Sequence, residues 1–131
     1  MTEDALIAGF ESATVASFHH RDHVRVSWIY LRRLGLHAAL AAVSQGLRGL
    51  AIAHGQEAKY HATVSWLYVF AIHERMIAGQ GWEDFERANP ELFASWGAFV
   101  GRYYTPGKLR SEAARASFLL PDRLASPGQR N

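Results

Sequence analysis

The sequence predicts an all-α protein, a compact bundle of four main helices with additional short helices. Three observations carry that prediction. Apolar residues recur at three- and four-residue spacing over long segments. Turn signals such as Gly79-Gln80-Gly81, Asn89-Pro90 and Tyr104-Thr105-Pro106-Gly107 fall between those segments. No stretch alternates with the strand period of two, and there is no internal repeat or heptad. A chain of 131 residues, 49% of them apolar, fits a single helical domain over 1–125, with a Pro/Gly/Gln/Arg tail at 126–131 that reads as frayed.

Residues 1–15 fit either a short helix over Asp4 to Phe10 or an ordered arm, with Ser12 to Val15 extended. Ser17 reads as the N-cap of a first main helix over 17–33. At about 100° per residue, His20, His23, Ser27, Tyr30 and Leu31 share one stripe, with Arg25, Arg32 and Arg33 mainly opposite. Gly35 suits the left-handed position that ends this helix. A second helix over 37–53 buries Leu40, Val43, Leu47, Leu50 and Ala51, and its alanines and glycines permit close approach. His54 and Gly55 mark its end.

A third helix over 57–78 is apolar on most of its circumference, which places it at the centre of the domain. Glu57, His61, Ser65, Tyr68, Ile72 and Arg75 share one of its stripes. A short acidic helix follows at 82–87. Pro90 opens the next, over 90–103, and Ser111-Glu112 starts a last short one to about Phe118. Short connections make the first three helices antiparallel neighbours.

Bulk composition excludes several functions. The net charge is +2 and the cations are dispersed, so nucleic acid is not an expected partner. With no cysteine there are no disulfides, thiolate metal sites, iron–sulfur clusters or cysteine nucleophiles. The acidic start Met1-Thr2-Glu3-Asp4-Ala5 is unlike a signal peptide, and no uninterrupted apolar run reaches the ~18 residues of a membrane span. The expectation is a cytoplasmic protein without membrane association. There is no glycine-rich phosphate loop, G-x-S-x-G elbow or H-E-x-x-H pattern.

The chemistry-bearing stretch is Phe18-His19-His20-Arg21-Asp22-His23. His19 and His23 are four apart and His20 and His23 three apart, so either pair can share a helix face. Neutral imidazole suits zinc, iron and copper. His61, on the central helix, is the expected third ligand, with His19 as the alternate for His20. Asp22 would orient a histidine or act as a base. Glu57, one turn before His61, would be a ligand, a hydrogen-bond acceptor behind a ligating imidazole, or a base. Tyr30 would line the pocket and join the catalytic group. The first functional expectation is a metal-dependent enzyme activating water for hydrolysis, hydration or elimination on a small organic substrate, with O2-using iron or copper chemistry as the nearest variant. The alternative is a non-enzymatic helical module that binds a small apolar ligand or a partner protein, its histidines being structural. A homodimer through the exposed helix faces is compatible with both. Glu74 and Arg75 are expected to tie the third helix to the 106–122 region.

Overall fold

A computed structural model describes residues 1–123, so the tail at 126–131 and the last two residues of the domain as drawn lie outside the described residues. Eight α-helices and no strand occur among the described residues: α1 Glu3–Ser12, α2 His20–Leu34, α3 Leu36–Ala53, α4 Ala62–Arg75, α5 Trp82–Ala88, α6 Trp96–Val100, α7 Pro106–Arg110 and α8 Glu112–Ala116. Helices α2, α3 and α4 pack on one another, α1 lies against α3, and α8 covers α4. The all-α expectation is met.

The ambiguous N-terminus is a helix. The Thr2 hydroxyl accepts the Ala5 N–H at 3.1 Å, Glu3 and Asp4 face the positive end of the helix dipole, and Leu6, Ile7 and Phe10 are buried. Glu3 pairs with Arg32 and Arg33 in the last turn of α2. Phe10 sits where α3 offers no side chain. A Cβ built on Gly46 would lie 2.0 Å from Phe10 Cε2.

Helix α2 starts two residues later than a Ser17 cap implies, at an N-cap of His19, whose own N–H is held by the Asp22 carboxylate at 2.9 Å. Its residues Val26 to Leu31 are all buried, so the helix is enclosed on more than one side. Gly35, at φ 85°, both ends α2 and starts α3. By length and composition α3 is apolar enough to cross a membrane, with a mean hydropathy of 1.2 over 18 residues of which 22% are buried. Counting uninterrupted apolar residues misses this, because Ser44, Gln45 and Arg48 break the run while alanines raise the average.

The expected helix over 57–78 is divided. Glu57–Lys59 forms one 3-10 turn, Tyr60 and His61 are extended, and α4 proper begins at Ala62. It ends at Arg75, because Met76 is extended and Gly79 takes φ 81°. Eight of its residues are buried, including Thr63 and Ser65, which confirms its central position. The expected helix over 90–103 is likewise broken, into a 3-10 turn Pro90–Leu92 and α6. The Thr-Pro-Gly turn signal opens α7 instead: the Thr105 hydroxyl caps Lys108 N–H, and Asp122 holds Thr105 N and Oγ1 at 2.9 and 2.6 Å. Arg75 does not reach that region. It lies over Phe99 at 5.4 Å and 4.0 Å from Glu91, so it ties α4 to the 90–100 segment.

Replacing Gly46 with Ala forces a methyl into the Phe10 ring and is expected to cost about 1–3 kcal/mol, as overpacking does. Urea denaturation of Gly46→Ala, and partial recovery in the double variant with Phe10→Leu, check this.

Candidate functional site

A cavity of about 300 Å³ opens between the ends of α2, α3 and α4. Its inner wall carries Leu50 and Ser65, both buried, together with Phe18, Leu47 and Val64. His23 from α2 and His61 from the start of α4 both line it. The exposed residues His54, Gln56 and Lys59 stand at its mouth. The two histidine-bearing segments therefore do meet, some forty positions apart in sequence.

They meet with most imidazole nitrogens already engaged. His61 Nδ1 accepts the Val64 N–H at 3.2 Å, so its proton sits on Nε2, which donates to the Leu109 carbonyl at 2.7 Å. That ring caps α4 and ties it to α7. His20 Nε2 lies 2.7 Å from the Leu92 carbonyl and joins α2 to the Pro90–Leu92 turn. His19 is exposed at the helix start. Asp22 caps rather than orients an imidazole. The division of the third expected helix takes Glu57 away from His61: it is exposed and lines a neighbouring cavity with Arg48, Tyr60, Glu112 and Arg115. Tyr30 is buried elsewhere, donating to Glu11 at 2.7 Å beside Ala42 and Gly46. Burial, and then the Glu11 carboxylate, raise its hydroxyl pKa. Among the described residues, no group of three or more His, Asp or Glu side chains is placed to hold one metal ion.

His23 is the exception to this engagement. Its ring lies edge-on to His20 at 5.9 Å and to Tyr68 at 5.7 Å, and Tyr68 stacks on Phe99 at 5.2 Å. His23 Nε2, Ser65 Oγ and the Tyr68 hydroxyl are buried without a hydrogen-bond partner in the protein. His23 is half-buried as a residue with its Nε2 enclosed, and burial, helped by the neighbouring His20, pushes its pKa down to about 3. Burial alone raises the Tyr68 hydroxyl. Of these three groups His23 and Ser65 line the cavity, which thus offers an imidazole and a serine hydroxyl on a mainly apolar wall.

Sequence reasoning named His23, His61, Ser65 and Tyr68, but treated His54 as a helix end and Lys59 as part of a continuous helix. Their signal was indirect: Gly55 turns the chain back so that the end of α3 faces the start of α4. Comparison with protein families, curated proteins and solved structures finds no match.

Between pH 6.5 and about 3, the unfolded chain binds a proton at His23 that the folded chain excludes. Stability is therefore fully present above the unfolded pKa and falls as the pH drops toward the folded one. The carboxylates lowered by Arg32, by Arg21 and by Thr105 (Glu3, Glu86 and Asp122) act in the same sense, but only from their own lower range downward. The expected result is a loss of stability between pH ~6.5 and ~5 that His23→Leu removes. Denaturation at several pH values tests it, and an NMR signal of the folded His23 ring titrating near its ordinary value would refute it. In a separate measurement, His61→Ala should cost about 1–2 kcal/mol through the lost cap, with His61→Asn restoring part of it.

Proposed function

We propose that the protein is a binding module for a small, mainly apolar organic molecule that carries a hydrogen-bonding group. One observation supports this most directly. The cavity wall is mainly apolar, and two polar atoms of the residues lining it, His23 Nε2 and Ser65 Oγ, are buried without a partner within the protein. Leaving such a group unsatisfied costs about 1–3 kcal/mol, which a ligand that meets it returns on binding. A volume of about 300 Å³ is at the small end for ligand cavities. Apolar walls with a few convergent polar groups are the usual composition of such sites.

A metal-dependent enzyme is the second reading. It draws on the convergence of His23 and His61 on one cavity. It requires His61 to release Leu109 or Val64 before it can ligate, and a further ligand to move in.

The test is a fragment screen by protein-observed NMR on the wild type and on Leu50→Trp, which fills the cavity. Fragments that shift the resonances of His23, Val64 and Ser65 in the wild type and not in the folded filled variant support the module. A screen without cavity hits overturns it. So does stoichiometric zinc, iron or copper in tag-free protein that disappears in both His23→Ala and His61→Ala, which would favour the enzyme.

A further inference from the structure

We infer that the ligand of this cavity is an apolar carboxylate, with its anionic end held at the mouth by Lys59; this rests on the binding-module reading above. The inner end of the cavity has no charge to offer. His23 stands among apolar and aromatic groups, and the His61 ring nitrogens are already engaged by the Val64 N–H and the Leu109 carbonyl. An ion placed there would lose its hydration without a counter-ion, a loss that apolar surroundings do not repay. The mouth is different. Lys59 is exposed, lines the cavity and makes no ion pair among the described residues. It is the one Lys or Arg among the described lining residues, and no Asp or Glu lines the cavity with it. Glu57, two positions away, lines the neighbouring cavity beside Arg48 and Arg115.

This polarity fixes the orientation of the guest. An apolar body enters against Phe18, Leu47 and Leu50, and an anion stays at the wet end beside Lys59. Lysine suits such a place because its flexible stem carries a compact, hydrated charge that follows the ligand without being buried itself. His54, also at the mouth, adds a hydrogen-bonding group from the end of α3.

The probes are hexanoate and phenylacetate, each paired with its neutral amide, titrated by calorimetry or NMR. The proteins are the wild type, Lys59→Met and Lys59→Glu, each first checked for helical content. The acids should bind the wild type about three- to fivefold more tightly than the amides at low salt, the size expected of a solvent-exposed ion pair. The preference should shrink in high salt. It should also persist at pH ~8.5, where ordinary imidazoles are neutral. It should vanish in Lys59→Met and reverse in Lys59→Glu, while amide affinity stays constant across the three proteins. Equal affinity for acid and amide, or a preference unchanged in Lys59→Met, overturns the inference and leaves the cavity reading standing. Failure of both acids and amides to bind the wild type overturns the inference together with the reading beneath it.

Discussion

The first turn of α4 lies inside the protein, and its polar groups must find partners there. One side chain caps the turn, and another is itself met by backbone of the segment that covers it. The His61 ring takes the Val64 N–H and reaches across to Leu109. The Thr63 hydroxyl lies 2.7 Å from the Ala114 carbonyl and 3.0 Å from that of Ser117, and accepts the Leu119 N–H at 3.1 Å. A buried helix start without such partners is strongly unfavourable. Meeting that need draws α7, α8 and the segment after them over α4. Tyr104 completes the attachment by donating to the Leu119 carbonyl at 2.5 Å. Burial and the nearby Asp122 carboxylate raise its hydroxyl pKa to about 12, so it stays a donor.

The same demand engages two of the histidine rings. An imidazole that caps a helix and bridges to another element has both ring nitrogens occupied. His61 works in that way, and His20 bridges without capping, each spending Nε2 on a distant carbonyl. His23 has no comparable duty. It is enclosed by aromatic rings, stays neutral and stands beside an unpartnered serine hydroxyl. The polar groups available to a guest are those the fold has not used for itself.

Much of the fold was legible because period and punctuation agreed. The central position of α4, the Gly35 junction, the close approach of α3 and the Ser111 start of α8 all follow from residue type and spacing. What was not legible depended on tertiary partners. Nothing local says that Tyr60 and His61 should be extended within an apolar, helix-compatible stretch. The need to cap α4 against Leu109 decides it, and that one interruption removes Glu57 from the histidine face. The break after Leu92 is of the same kind, since the Leu92 carbonyl is held by His20 from a distant part of the chain. For the site, sequence found the inward groups, whose spacing on helices is readable. It missed Lys59, whose placement depends on a turn between elements.

The Phe10 ring in the notch left by Gly46 has a bearing on how the molecule tolerates change in length. The ring also stacks on Phe18 at 5.3 Å and lies 6.1 Å from Tyr30, so it meets three parts of the bundle at once. The register of α1 along α3 is thereby set by a steric key and not by the reach of the tether at 13–19. Changes of length in that tether must therefore keep Phe18 against Phe10, or the key loses one of its faces.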